Sequence, residues 1–89
     1  MAADRGSAVA QFRVAQLLGA EEKFEQAFRY FALAADQGYT FAECNLGIFY
    51  EVGRGTEVDL GKARYWLARA AAKGFEGAIK ALAGLDARV

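Results

Sequence analysis

The chain is 89 residues long and balances eleven Lys plus Arg against eleven Asp plus Glu, with a single Cys and no His or Pro. Zero net charge removes the broad attraction that recruits nucleic acid or an anionic membrane, and no apolar run approaches the ~20 residues needed to cross a bilayer. With Cys44 alone and no His, there is no internal disulfide, no ligand set for a structural zinc, and no Ser-His-Asp or Cys-His nucleophile. No catalytic, cofactor or metal site is therefore expected. Met1 to Arg5 has no basic stretch leading into an apolar one, so no secretory signal is visible and the compartment stays open.

The absence of proline and the abundance of Ala, Leu, Glu, Lys and Arg predict an all-α chain. The first helix is expected over about Ala8 to Leu18, capped by Ser7 and stopped at Gly19, with Glu21-Glu22-Lys23 as the turn. A second covers about Phe24 to Asp36, its apolar stripe set by Ala27, Tyr30, Phe31, Ala34 and Ala35, and Gly38 closes it. Thr40 and Glu43 match a capping box, with Tyr39 and Cys44 as a hydrophobic staple, opening a third helix over about Phe41 to Val52. Gly53-Arg54-Gly55-Thr56 supplies a turn, and Asp59 caps a fourth helix over about Leu60 to Lys73, ended by Gly74. A fifth is expected over Gly77 to Leu85.

These elements repeat. Ala2-Ala3-Asp4-Arg5-Gly6 returns as Ala34-Ala35-Asp36-Gln37-Gly38 and, blurred, as Ala70-Ala71-Ala72-Lys73-Gly74, a period of stacked helical hairpins. Ala10, Val14, Ala15 and Leu17 precede Ala42, Leu46, Gly47 and Phe49 by 32 residues, whereas Ala27, Tyr30, Ala34 and Gly38 precede Ala63, Trp66, Ala70 and Gly74 by 36. The four-residue difference falls wholly in the turn between the first (A) and second (B) helix of each unit. Ala78, Leu82, Ala83 and Leu85 repeat the A pattern once more. The expected organisation is a tail of a preceding unit or cap over 1–6, one unit over 7–38, a second over 39–74, and a partial third over 75–89.

Ala42, Leu46-Gly47, Tyr50, Gly53, Gly55, Asp59, Lys62-Ala63, Trp66, Ala70-Ala71 and Gly74 stand in the order and spacing of a Sel1-like repeat, and the chain resembles that family, a relative of the tetratricopeptide repeats. The first unit is a weaker copy, because its turn is short and lacks the Gly-x-Gly and the Asp. The resemblance implies a right-handed α/α superhelix of helical hairpins, here two units plus a terminal A helix. It also implies an adaptor that binds a protein or peptide ligand, with no particular partner. Relatives with a disulfide in each unit are a separate subclass, which the lone Cys44 excludes.

In such stacks the A helices line the concave face. If Leu46, Gly47 and Tyr50 face the packing, helical geometry turns Phe41, Cys44, Ile48 and Glu51 towards the concavity, and the same register brings Val9, Phe12 and Gln16 there from the first A helix. Lys80 joins from the last helix as a holder of a carboxylate at the rim. This apolar strip is the expected site for a peptide or partner helix, the competing expectation being that Phe12 and Phe41 are ordinary core.

Other motifs give way to simpler roles. Tyr30, Tyr39, Tyr65 and Trp66 suggest a stacking platform, but aromatics at helical spacing are expected in the core. Gly53-Arg54-Gly55 lacks the strand and the Gly-Lys-Ser/Thr ending of a phosphate loop. Glu21, Glu22, Glu25, Arg64 and Arg69 are expected on solvated faces. Glu43 and Glu51 lie about 12 Å apart along one helix, too far for a paired-carboxylate site. Two further readings remain: self-assembly through stack ends exposing Val14, Leu18, Leu82 and Leu85, and regulation of an enzyme lying outside this segment.

Overall fold

The computed structural model describes residues 6–87, which form five α-helices and, among the described residues, no strand. They are α1 (Ala8–Ala20), α2 (Phe24–Asp36), α3 (Thr40–Val52), α4 (Leu60–Ala72) and α5 (Glu76–Asp86). The tail assigned to a preceding unit lies outside the described residues except for Gly6. Helices α1 and α2 pack as one hairpin and α3 and α4 as the next, α2 packs on α3, α4 packs on α5, and α3 also touches α5. This zigzag of consecutive pairs is a solenoid of helical hairpins.

Small residues let the helices close. Ala15, Ala27, Ala34, Ala42, Ala63, Ala70 and Ala78 have no exposed surface, and each removes side-chain bulk where two helix ridges interlock. Around them stand two apolar clusters. One joins Phe31, Leu46 and Phe49 across the α2/α3 junction. The other joins Cys44, Leu67, Ala78 and Leu85 across α3, α4 and α5. Burial of a Leu or Phe side chain is worth about 1.5–3 kcal/mol, so the junctions between helices carry the fold.

Ser7, Asp59, Gly38 and Gly74 cap as the sequence indicates, with two exceptions among the other expected features. Ser7 Oγ accepts from the Ala10 amide at 3.1 Å and Asp59 Oδ1 from the Lys62 amide at 3.0 Å, as the sequence indicates. Gly38 and Gly74 take φ of 82° and 86° at the ends of α2 and α4, and the amides that follow them reach back to Ala34 and Ala70. The first exception is α1, which runs through Gly19 to Ala20. There Glu22, with φ of 62°, takes the left-handed position, and the Lys23 amide closes onto the Leu18 carbonyl at 2.9 Å.

The second exception is the expected capping box. Thr40 is already helical, Tyr39 occupies the N-cap without a side-chain bond, and Glu43 points inwards to a different set of partners. Nor does Tyr39 staple to Cys44: its ring packs on Phe12 and Phe41, while Cys44 belongs to the second cluster. Helix α5 is one residue longer at each end than expected.

The Gly53-Arg54-Gly55 turn is structural. Gly53, with φ of 75°, is the C-cap of α3, and Gly55, with φ of 71°, lies so close to the Phe24 carbonyl that a β-carbon there would collide with it. Arg54 lays its guanidinium 4.7 Å from the Phe24 ring centre and 5.8 Å from that of Phe49. The loop thus rests against the start of α2 in the preceding unit.

Candidate functional site

The A-type helices α1, α3 and α5 share one side of the stack. On it Val9 is 42% and Phe41 46% exposed, and each is the second residue of its helix. Gln16 and Lys80 are exposed, and Phe12, Ile48 and Glu51 are half-buried.

Ring contacts tie the strip together. Phe41 meets Phe12 at 6.0 Å, Tyr39 at 5.7 Å and Phe75 at 5.0 Å, the last edge-to-face. Phe12 continues inwards to Tyr39 at 5.2 Å and Phe31 at 5.8 Å. Aromatic pairs at these separations add about 0.5–1.5 kcal/mol beyond area burial, so Phe41 is held from below while one side of it faces solvent. Sequence reasoning left Phe75 out of this strip and gave Tyr39 another role. Their common signal is position: each directly follows a left-handed glycine, and they stand 36 residues apart.

Cys44 does not join this surface. It is 6% exposed and packs with Ala63 and Leu67 of α4, and burial pushes its thiol above the usual range. Ile48 leans on the same cluster, so its side chain is shared between core and surface.

Behind the strip lies a polar network. Glu43 is fully buried. Its carboxylate accepts from Arg69 Nε at 3.2 Å and from Lys73 Nζ at 3.0 Å, and Lys73 also donates to the Gly38 carbonyl at 2.7 Å. Hydrogen bonding to Glu43, followed by the interaction with Tyr65, holds the Arg69 guanidinium more firmly protonated. Arg69 reaches this buried carboxylate from a side chain that is itself 45% exposed, and Arg64 pairs with Asp86 at the surface, so both stay on the solvated faces expected of them. The first unit places a neutral version at the same positions: Gln11, 2% exposed, accepts from Gln37 Nε2 at 2.8 Å. Gln11 and Glu43 are 32 residues apart, Gln37 and Lys73 36. Each pair ties the start of an A helix to the end of its B helix.

The remaining sequence candidates divide. Trp66 and Tyr30 pack half-buried against the first cluster, whereas Tyr65 is 54% exposed and meets Trp66 edge-to-face at 5.0 Å. Leu85, expected at an open stack end, is 2% exposed, and Leu82 packs half-buried against the second cluster. Both face α4 instead of solvent. Among the described residues, no group of three His, Cys, Asp or Glu side chains is placed to hold a metal, and no helix is long and apolar enough to cross a membrane.

The family model of the Sel1 repeat matches residues 8–39 and 40–75. The chain belongs to the Sel1 repeat family. Two further matches are partial: the rat (Rattus norvegicus) and mouse (Mus musculus) proteins named DAP3-binding cell death enhancer 1 are each 52% identical to this chain over 40 residues. That segment is 45% of this chain and 8% of either relative. The two family matches meet between Tyr39 and Thr40, where α3 begins. Sel1 repeats are helical scaffold modules that generally serve protein interaction.

Proposed function

We propose that this Sel1 repeat pair is a protein-binding adaptor that receives a peptide or partner helix along the A-helix side of the stack. Val9, Phe12, Phe41 and Ile48 form the apolar line, and Gln16, Glu51 and Lys80 supply polar contacts at its margins. Cys44, being buried, acts only as support.

The observation that carries this reading is Phe41: a large aromatic residue, 46% exposed and fixed by three rings. A rigid, half-exposed aromatic side chain suits a binding anchor, because little conformational entropy is left to lose when a partner covers it. The rat and mouse relatives are named for binding another protein, and the same class of role, though not the partner, is carried over to this chain.

The test is capture from a source lysate with mass spectrometry, comparing wild type with Phe41→Glu and Val9→Glu. A partner held by wild type and lost from both variants, with helicity by circular dichroism unchanged, is the expected result. Retention of the partner by both folded variants would move the site away from this face.

A further inference from the structure

The open side of the A helices follows one spacing. In α3 the exposed or half-buried residues Phe41, Asn45, Ile48 and Val52 recur at steps of four, three and four, and the residues 32 positions earlier in α1, namely Val9, Arg13, Gln16 and Ala20, are all exposed. Steps of that size keep a line on one helical face. In α5 the corresponding positions hold Gly77, Ala81 and Gly84, which leaves Lys80, exposed beside Ala81, as the long side chain there. Arg13 and Asn45 therefore stand in the middle of this face, one turn along from Val9 and Phe41.

The charge in that middle has one sign. Arg13 and Lys80 are the cations of the three A helices, and neither has an ion pair among the described residues, whereas Lys23, Arg64, Arg69 and Lys73 each have one. The carboxylates of the A helices are turned elsewhere. Glu43 bonds to Arg69 and Lys73, and Asp86 pairs with Arg64. Glu51 and Glu76 sit at helix ends, about a quarter turn round from the line. Between the two cations, Asn45 donates from Nδ2 to the Phe41 carbonyl at 3.1 Å, which fixes the amide and leaves Oδ1 as an acceptor.

We infer that this face takes an extended, acidic segment of a partner protein, crossing from α1 over α3 to α5 with carboxylates on Arg13 and Lys80 and apolar side chains on Phe41 and Ile48. The inference deepens the adaptor reading and rests on it. Two cations without a counter-ion, one on either side of an apolar centre, are complementary to anions placed likewise and repel a basic segment. Spacing narrows the pattern further. Side-by-side helices lie about 8–10 Å apart, so the two cations are roughly 16–20 Å apart, and an extended chain rising ~3.3 Å per residue bridges them with carboxylates about six residues apart. An even separation also puts both carboxylates and the apolar residues between them on one side of the segment.

A second copy of the chain offers no such segment among the described residues. Its carboxylates outside the helices are Glu21, Glu22, Glu57 and Asp59, of which Glu21 pairs with Lys23 and Asp59 caps α4.

The experiment titrates the whole ¹⁵N-labelled chain with the synthetic, end-capped peptide Ser-Asp-Ser-Leu-Ser-Leu-Ser-Asp-Ser, and with its analogues carrying Asn or Lys in place of both Asp. Amide shifts centred on Arg13, Asn45, Ile48 and Lys80 are expected with the Asp peptide. The Asn analogue should bind about tenfold more weakly, each exposed ion pair contributing roughly three- to fivefold, and added salt should narrow the gap. Arg13→Glu/Lys80→Glu should reverse the order, so that the Lys analogue binds best. Both residues are exposed, so helicity by circular dichroism should hold, and Arg13→Ala/Lys80→Ala repeats the test should the charge-reversed chain lose it. The inference is overturned by equal binding of the Asp and Asn peptides, by an Asp preference that survives charge reversal, or by an unshifted face at millimolar peptide. A dimer in sedimentation that the charge-reversed chain dissolves would also overturn it, because a second copy would then hold the face. A lysate partner released by Phe41→Glu but kept by Arg13→Glu/Lys80→Glu would remove the acidic segment and leave the adaptor reading standing, whereas one kept by both Phe41→Glu and Val9→Glu would remove both.

Discussion

Replacing Gly47 with alanine probes how tightly the two helices of the second unit close. A methyl group at Gly47 would stand 2.7 Å from Leu67 Cγ, 3.0 Å from its Cδ2 and 3.1 Å from the Ala63 carbonyl oxygen. Leu67 is fully buried and has no free volume to swing into, and the Ala63 carbonyl moves only if α4 moves. Two effects oppose each other: Ala for Gly inside a helix recovers about 1 kcal/mol, while overpacking a filled core costs about 1–3 kcal/mol. Packing should win, giving a net loss of about 1 kcal/mol and a Tm lower by roughly 4–8 °C. Gly84→Ala is the internal control, because Gly84 lies in α5 with no heavy atom near its missing β-carbon. There the propensity gain of up to about 1 kcal/mol should appear unopposed. Two identical substitutions in one chain should therefore shift thermal unfolding by circular dichroism in opposite directions. Ala15 fills the equivalent position in the first unit and is fully buried, so the demand for glycine comes from Leu67 and not from the fold. Gly47→Ala/Leu67→Val should accordingly regain part of the loss through a favourable coupling. A Gly47→Ala protein that gains as much stability as Gly84→Ala would refute the argument.

Glu22 sits at φ of 62° without being a glycine, and Glu22→Gly should raise stability by about 1 kcal/mol in chemical denaturation through relief of the left-handed conformation. Cys44 should react with an aromatic disulfide reagent at a rate that tracks opening of the α3/α4 packing, rising steeply with denaturant, because its thiol is buried. Burial raises that thiol above its ordinary value. The unfolded chain therefore loses the proton first, and the contribution of Cys44 to stability is complete below the usual thiol range of ~8.5 and declines as pH rises past it. Cys44→Ala should remove that component of the alkaline decline, read as the difference between two pH-stability curves.

The parts of this fold that were legible in the sequence are those decided within a few residues. Ser7, Asp59, Gly38 and Gly74 each act on amides or carbonyls less than one turn away, and they do in the structure what their chemistry indicates. Glu43 shows where local reading fails. Thr40-Phe41-Ala42-Glu43 has the letters of a capping box, yet the carboxylate bonds to Arg69 and Lys73, which stand 26 and 30 residues away in sequence and come within reach only when the second hairpin closes. The proposed strip of Val9, Phe12 and Phe41 rests on helical spacing, whereas the contact of Phe75 with Phe41 depends on how α5 lies against α3. Cys44 lies off the inner face because its thiol is taken up in the packing against Ala63 and Leu67 of α4, a contact between helices that the spacing within α3 does not reveal.

The Gly55 turn and the Lys73 amine both fasten one unit to the other. Both belong to the second unit, and both find their partners in the first: Gly55 at the Phe24 carbonyl at one end of α2, Lys73 at the Gly38 carbonyl beyond the other. The junction between the units is thus pinned at both ends of α2, by a backbone approach at one and a charge-assisted hydrogen bond at the other, so the angle between the hairpins is fixed by two contacts a helix length apart as well as by the apolar cluster between them.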